Sequence, residues 1–434
     1  MKSLVKQSQL YFIFSFIALM VLGTLLLKMP ICYRGEGALS WEDAAFMATS
    51  SVCITGLTSV PISEFSILGQ LIIIILVQIG GIGVMALTAS IVLFLGRGMS
   101  FGNTKMMSNL SDNFSLRNTE GLLKTVVAYT LNIEAIGAVV LITGFMLDGR
   151  FSFWQSCYYG VFHSIGAFCN AGFSQFDDSL QHMSALIKLT VAFLIIAGGI
   201  GIYVIYDLLH SRRSNKTLQI HTRLVVISSL VLIVSGTLLI KLFEYLDSSQ
   251  PIAWIDAFFM SVSSRTAGYC TVPLGELSPN TISMIVIFMM IGAAPGSTGG
   301  GMKVTVVALA VMAIINTLQG NRRVLLFRRE IAIDNILKSF TIIVTFVLLV
   351  AVGVAILSPM IPYKEQTVWF EAASALSTTG MSMDLTGELP GAAKMLIMLF
   401  MFIGRIGPFT IFLFLMDREK ISRISYPEER IIIG

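Results

Sequence analysis

The sequence predicts an all-α membrane protein in which four span–pore-loop–span repeats, with about eight transmembrane helices, surround a central pore. Composition is the first reason: hydrophobic residues make up 55% of the 434 residues and charged residues only 12%, whereas a soluble domain carries about 25% charged residues. The second reason is an internal repeat. Each of the four tryptophans stands ahead of a glycine motif, and the motifs recur about every 100 residues, longer than soluble solenoid periods.

The four motifs share one form, in which a helix-sized segment rich in Ala, Ser and Phe separates the tryptophan from small polar residues and a glycine. The tryptophans are Trp41, Trp154, Trp254 and Trp369. The residues that follow, here called the first to fourth glycine segments, are Cys53, Ile54, Thr55 and Gly56; Cys169, Asn170, Ala171 and Gly172; Arg265, Thr266, Ala267 and Gly268; and Ser377, Thr378, Thr379 and Gly380. One such segment would indicate only a tight turn between helices. Four in register favour four pore loops that close around one axis.

Apolar stretches flank the glycine segments, and each is near the ~20 residues that cross a bilayer as a helix. Their only charges are Glu134 and Arg405. Two spans per repeat divide the chain into residues 1–97, 98–211, 212–320 and 321–434, the last with a C-terminal tail. No small-residue cleavage site is clear near the N-terminus, so we expect the first span to be retained. The predicted spans are Leu10–Leu27, Phe65–Leu95, Val126–Leu147, Leu189–Tyr206, Leu224–Ile240, Ile282–Met302, Phe340–Pro362 and Met395–Met416.

Charge asymmetry predicts the orientation. The connections between repeats and the tail are rich in Arg and Lys, as in Arg212, Arg213 and Lys216. The stretches around the glycine segments lean acidic, as in Glu42 and Asp43. By the positive-inside rule, both termini and the connections are cytoplasmic, and the four loops enter from outside. An acidic outer mouth would concentrate cations. We expect a lipid bilayer as the surroundings and no nucleic-acid partner.

The predicted loops suit a cation. Glycine lets the chain turn carbonyl groups inward, and rings of carbonyls replace the hydration shell of a cation. Each short helix would also point its partially negative C-terminal end at the ion. The glycine segments contain no acidic side chain, and only Arg265 is basic, whereas an anion pore would need rings of Arg or Lys.

A second glycine cluster lies about 25 residues after each glycine segment, inside a span. Small residues allow close helix packing, which we favour for Gly80–Gly83 and Gly198–Gly201. The third cluster differs, because its proline and glycine run cannot continue a helix. We interpret it as a mobile gate; a P-loop is excluded because Lys303 follows Met302 and precedes Val304. The predicted gate residues are Ala294, Pro295, Gly296, Ser297, Thr298, Gly299, Gly300, Gly301, Lys303 and Arg405.

Arg405 is costly inside a bilayer and should face the protein interior. One hypothesis is that its donors hold carbonyl groups of the glycine-rich loop. The alternative is an ion pair with a buried acid such as Glu134.

These features resemble the Trk/Ktr/HKT superfamily of cation transporters over essentially the whole chain, and most closely the membrane subunit of bacterial Ktr-type potassium uptake systems. The supporting motifs are Val77–Gly83, Arg265–Tyr269, Phe402–Pro408 and Tyr426–Glu428. The resemblance implies potassium uptake in a bacterial cell membrane, a homodimer, and a cytosolic ring of nucleotide-binding regulatory subunits. It also implies an ion site near Thr55, Asn170, Thr266 and Thr378. Two departures are Cys53, where a hydroxyl residue is usual, and a gate loop that looks as much Trk-like as Ktr-like.

Two other functional classes, a membrane enzyme and a symporter, fit the sequence less well. A membrane enzyme would need a catalytic set, and the sequence has none: no HExxH motif occurs, and only His163 of the four histidines lies in a predicted membrane loop. A symporter for another cation or a small solute often has inverted repeats, whereas these four repeats run in one direction. The five cysteines lack CxxC spacing and indicate neither a disulfide framework nor zinc. No cofactor is expected beyond K⁺ as the transported ion.

Overall fold

The computed structural model describes residues 2–35, 37–95, 117–214, 217–247, 252–321 and 323–407. Predictions for the tail from residue 408 onward, and for most of the basic connection after the first repeat, lie outside these residues. Almost all regular structure described is helical. The exception is a short antiparallel hairpin whose strands, β1 Leu325–Leu326 and β2 Arg329–Glu330, have two residues each. The helices are α1 Lys2–Leu27, α2 Trp41–Cys53, α3 Ile67–Leu95, α4 Arg117–Asp148, α5 Phe153–Cys169, α6 Ala185–Gly199, α7 Ile202–Ser214, α8 Ile220–Asp247, α9 Trp254–Ser263, α10 Pro279–Met290, α11 Val304–Leu318, α12 Ile333–Leu357, α13 Glu365–Ser377 and α14 Gly391–Ile406.

The long helices are apolar enough for a membrane. Within the described residues, three stretches meet the length and hydropathy of a full span: Thr125–Asp148, Ile220–Asp247 and Ile333–Met360. A fourth candidate is the pair Ala185–Gly199 and Ile202–Leu209, bent by 91°. Each remaining predicted span overlaps a helix, and the count of eight spans stays a prediction.

The third repeat contains the expected break. Helix α10 ends at Met290 and α11 begins at Val304, and the chain between them is irregular. The ends of this break are pinned together, because Gly292 N donates to Met302 O at 2.7 Å and Met302 N donates to Met290 O at 3.2 Å. Its physical cause is the one the sequence indicates, a proline followed by a glycine run.

The second repeat is bent where a continuous span was expected over Leu189–Tyr206. Gly201 has a φ of +87°, and the backbone amides of Ala294 and Thr298 donate to the carbonyl groups of Gly199 and Gly198. Donors from the broken span thus enter the hydrogen-bond ladder of α6, a recognised cause of a sharp kink. Because the donors lie about 100 residues away along the chain, local sequence did not reveal this bend.

Four short helices, α2, α5, α9 and α13, end at or just before the four glycine segments. The N-terminus of α2 is capped by Ser40, whose side chain accepts from Asp43 N, and that of α5 by a capping box of Ser152 and Gln155. These caps satisfy amides that a helix start leaves unpaired. They fix where each helix begins and therefore where it delivers the glycine segment.

The helices pack as four trios in a closed ring. The trios are α1–α2–α3, α4–α5–α6, α8–α9–α10 and α12–α13–α14. The last helix of each trio also packs against the short helix of the next: α3 on α5, α6 on α9, α10 on α13, and α14 on α2. The fourth trio therefore returns to the first, and the four glycine segments meet at the centre.

Candidate functional site

The four glycine segments adopt one backbone conformation. Ile54, Asn170, Thr266 and Thr378 all have a positive φ, and so does the glycine two residues after each of them. Ile54, Asn170 and Thr378 are the left-handed C-caps of the short helices α2, α5 and α13. A non-glycine residue in this region is uncommon and marks a conformation that the surroundings impose.

The segments touch each other in cyclic order. A β-carbon built on Gly56 would lie within 3.0 Å of Ala171 O, and one on Gly172 would lie 2.6 Å from Ala267 O. On Gly268 it would meet Thr379 O, and on Gly380 it would meet Thr55 O, again within 3.0 Å. Each glycine therefore packs against the carbonyl group before the next glycine, and the ring admits no side chain at these positions.

The glycine segments also carry buried threonine hydroxyls. Thr55, Thr266 and Thr378 are fully buried, and the hydroxyl of each lacks a hydrogen-bond partner among the described residues. Buried polar groups are normally paired. Together with the carbonyl ring they form a set of uncharged oxygen donors of the type that binds an alkali cation.

Arg265 turns away from the ring. Its guanidinium donates to Ser229 O on α8 at 3.3 Å. Cys53 and Cys169 are buried behind their segments. The side chain of Arg265 therefore does not place a positive charge among the oxygen donors, and its segment contributes backbone.

The glycine-rich loop of residues 294–301 lies directly against the inner side of the ring. A β-carbon at Gly299 would meet Thr266 Oγ1, and one at Gly300 would meet Thr378 Oγ1, each within 3.0 Å. Thr298, which is fully buried, donates its hydroxyl to Phe168 O at 3.1 Å. The loop thus fills the space below the ring, and glycine is required for this approach.

Arg405 holds the loop from the neighbouring fourth trio. Its Nη1 donates to Thr298 O, and its Nη2 donates to Gly80 O at 3.3 Å. Lys303, two residues after the loop, donates its Nζ to Gly299 O at 2.6 Å. The described residues show no ion pair between Arg405 and Glu134, so the arrangement matches the loop-binding hypothesis for Arg405 rather than the ion-pair alternative.

The second glycine clusters have a packing role in three trios. A β-carbon on Gly80, Gly198 or Gly404 would collide with Val52 O, Phe168 O or Leu376 O. These carbonyl groups occupy equivalent places, two residues before the left-handed residue of a glycine segment. The packing explanation favoured for the first two clusters thus extends to the fourth. In the third trio, Gly292 instead packs against Gly300 O of the loop.

A rim of polar links joins neighbouring trios at the far end of the short helices, and sequence reasoning missed it. Lys188 of α6 pairs with Asp256 of α9 at 2.6 Å, and Lys394 of α14 pairs with Asp43 of α2 at 2.7 Å. Burial acts to raise the pKa of Asp43, but hydrogen bonds from Lys394 and Ser40 outweigh it, so this pKa lies below its ordinary value.

Neutral groups serve the other two junctions. Tyr158 donates to Gln70 Oε1 at 2.8 Å, and Gln366 donates to Pro279 O at 3.1 Å. The signal in the sequence was positional: Gln70, Lys188 and Lys394 all stand at the fourth position after the residue that caps or precedes their helix.

Known proteins resemble this chain in sequence and in fold. A family model described as TrkH, cation transport protein, matches residues 5–424. The chain is 32% identical to Ktr system potassium uptake protein B of Bacillus subtilis over 96% of this chain and 95% of that protein. It is 33% identical to the protein of the same name from Vibrio alginolyticus over 97% and 93% of the two chains.

A solved structure confirms the overall fold. The crystal structure of the potassium transporter TrkH from Vibrio parahaemolyticus matches with a TM-score of 0.73 at 19% identity, covering 95% of this chain and 85% of that chain. A further relative, 30% identical over 96% of this chain and 95% of its own length, is the potassium/sodium uptake protein NtpJ of Enterococcus hirae. The resemblance noted from the motifs is confirmed.

Proposed function

The chain belongs to the TrkH family of cation transport proteins, and we propose that it takes up potassium through a pore on the axis of the four glycine segments. Membership of this family supports a transport role rather than an enzymatic one. The relatives from Bacillus subtilis and Vibrio alginolyticus, which match nearly end to end, are named for potassium uptake, and this supports potassium as the cargo.

The observation that carries the proposal is the closed ring of glycines and carbonyl groups. Four segments from distant parts of the chain repeat one backbone conformation, and each glycine packs on a carbonyl group of the next segment. In the proposed site, backbone carbonyls of the four segments and the hydroxyls of Thr55, Thr266 and Thr378 replace the hydration shell of K⁺. The C-terminal ends of four short helices add negative potential at the same place.

The proposed gate is the glycine-rich loop with Arg405. Supporting it, Gly299 and Gly300 press against hydroxyls of the proposed ion site, and Arg405 bonds the loop to a carbonyl of the first trio. Non-helical backbone at membrane depth must line a cavity or be buried in protein. A loop that loses the bonds of Arg405 would be held less firmly on the axis.

The proposed setting is the plasma membrane of a bacterium, as a multi-pass homodimer with both termini cytoplasmic and a nucleotide-binding regulatory ring on the cytosolic side. The positive-inside pattern supports the orientation. The likeness to proteins named for a Ktr system supports a multi-component assembly.

Rubidium uptake tests the proposal. The chain is expressed in a cell that lacks its own potassium uptake, and ⁸⁶Rb⁺ entry is followed against excess K⁺ or Na⁺. We expect uptake that K⁺ suppresses and Na⁺ suppresses much less. Sodium is the essential competitor because one relative is named for potassium and sodium. Equal suppression by both ions, or uptake of a solute with no Rb⁺ entry, would favour the alternative of a symporter for another cation or a small solute.

A further inference from the structure

A chain of hydrogen bonds links a buried acid to the back of the second glycine segment. Glu134 on α4 is 6% exposed, and its Oε2 accepts from Gln78 Nε2 on α3 at 3.0 Å. Gln78 Oε1 in turn accepts from Cys169 Sγ at 3.3 Å. Cys169 ends α5 and directly precedes Asn170. Three helices from two trios therefore meet in one polar chain behind the ring.

In this structure the hydrogen bonds run from the Cys169 thiol through the Gln78 amide to the Glu134 carboxyl group. The thiol of Cys169 can donate to the Gln78 oxygen only if the Gln78 nitrogen faces Glu134, because an amide has its donor and acceptor on opposite sides. Glu134 must then supply an acceptor. Without that acceptor, the amide has no reason to keep its oxygen toward Cys169.

A hydrogen bond anchors the backbone at Glu134 to α5. Its own backbone carbonyl accepts from Ser164 Oγ on α5 at 2.6 Å. Its other carboxyl oxygen, Oε1, is buried and has no partner among the described residues, and the same holds for the hydroxyl of Thr130 one turn earlier. Among the described residues, the bond from Gln78 to Oε2 is therefore the only hydrogen bond of the Glu134 carboxyl group.

No counter-ion reaches Glu134 within 4.0 Å in the described part of the chain. The ionisable groups on the helices packed around it have their own partners: Lys188 pairs with Asp256, Asp148 with Arg150, and Arg405 with two carbonyl groups. His163 contacts Tyr159 O and Ser174, and Tyr129 donates to Ala197 O. Hydrogen bonds through Gln78 link Cys169 to Glu134.

We propose that Glu134 is a positioning residue for the ion site: its carboxyl group orients Gln78, which holds Cys169 and thereby the second glycine segment in its ion-facing conformation. This inference rests on the proposed function, because it concerns the same ring. It assigns a role to a residue that touches neither the ion nor the gate loop.

Two substitutions separate the possible roles of Glu134. Glu134→Gln keeps an acceptor oxygen and replaces the carboxyl group by an amide, whereas Glu134→Leu keeps the volume and removes the acceptor. Asn132→Leu, at an exposed position on the same helix, is the matched control. Each variant is assayed for ⁸⁶Rb⁺ uptake with Na⁺ competition between pH 6 and 8, and for thermal stability in detergent.

We expect Glu134→Gln and Asn132→Leu to keep the K⁺-over-Na⁺ preference and its pH profile. We expect Glu134→Leu to lower the preference about fivefold, the effect of losing one neutral hydrogen bond. Cys169→Ala should give a similar loss, and the double variant Glu134→Leu with Cys169→Ala should lose no more than either single variant.

Three outcomes would overturn the inference. If Glu134→Gln fails like Glu134→Leu, an acceptor oxygen at this position is not what orients Gln78, and the inference is wrong. If Glu134→Leu lowers only thermal stability, with unchanged preference per folded molecule, the role is structural support alone. If the losses of the double variant multiply, the two residues act independently. Absence of Rb⁺ uptake by the unmodified chain would instead reject the proposed function, so the two failures are distinct.

Discussion

Single glycines at the ring carry two constraints that can be separated by experiment. Gly56 has a φ of +93°, and a β-carbon on it would also collide with Ala171 O. Gly320 has a φ of +75° but has nothing within 4 Å of the same position. The first constraint is the conformation of the residue itself, and the second is contact with a neighbouring segment.

Replacing Gly56 and Gly320 by alanine should therefore give unequal effects. Gly320→Ala should cost about 1 kcal/mol through the left-handed conformation alone. Gly56→Ala should cost roughly 1–3 kcal/mol more, because a packed backbone has to move, and it should let Na⁺ compete with Rb⁺ uptake. Thermal unfolding in detergent and uptake assays measure the two effects. Equal unfolding temperatures with unchanged ion preference would contradict the ring contacts.

A second test replaces Arg405, which holds the glycine-rich loop. Both of its acceptors are backbone carbonyl groups, Thr298 O and Gly80 O, so Arg405→Ala leaves no charge stranded. We expect a loss of about 1–3 kcal/mol for hydrogen bonds from a charged group, together with increased ion flux in liposomes because the loop is released. The exposed Arg150, replaced by alanine, is the control. A large loss of stability with unchanged flux per folded molecule would remove Arg405 from gating.

The helices and their breaks show which features local sequence predicts and which it does not. The four short helices, the broken span after Met290 and the glycine segments follow from local signals: tryptophan spacing, a proline and glycine run, and small polar residues before glycine. The 91° bend near Gly201 does not, because donors of Ala294 and Thr298 create it from another trio. The partner of Arg405 was likewise left open between a loop carbonyl and Glu134, since nothing in the sequence fixes which distant group faces it.

The rim pairs were also missed from the sequence, and they offer a test of contacts between trios. Asp43→Asn would leave Lys394, whose side chain is 11% exposed, without its partner. We expect a loss of roughly 1–3 kcal/mol, between the values for exposed and buried pairs. Glu330→Gln, which breaks the exposed pair of Arg323 and Glu330 with side chains 73% and 52% exposed, should change stability by no more than about 0.5 kcal/mol.

The rim also predicts an acid dependence. The pKa of Asp43 in the folded protein lies below its ordinary value, so its contribution is present above the ordinary pKa of about 3.9 and is lost as the pH falls through the lower, folded value. Asp43→Asn should therefore differ from the unmodified chain at neutral pH and converge with it in acid. A difference that persists unchanged below the folded pKa would show that the substitution acts through packing instead.

The ring as a unit joins residues that lie far apart in the chain, from Thr55 to Gly380, and an ion at its centre would contact all four trios at once. A ligand that binds only the folded state stabilises it by about 2.7 kcal/mol at 100 times its Kd. We therefore expect the unfolding temperature in detergent to rise with K⁺ or Rb⁺ and to rise less with Na⁺ at equal ionic strength. Choline chloride controls for ionic strength, since the cation is too large for a ring of packed backbones. Gly56→Ala should lose most of this rise, while Gly320→Ala should keep it despite its similar backbone strain. The same increase with K⁺ and choline, or an undiminished increase in Gly56→Ala, would show that no selective cation site forms where the four segments meet.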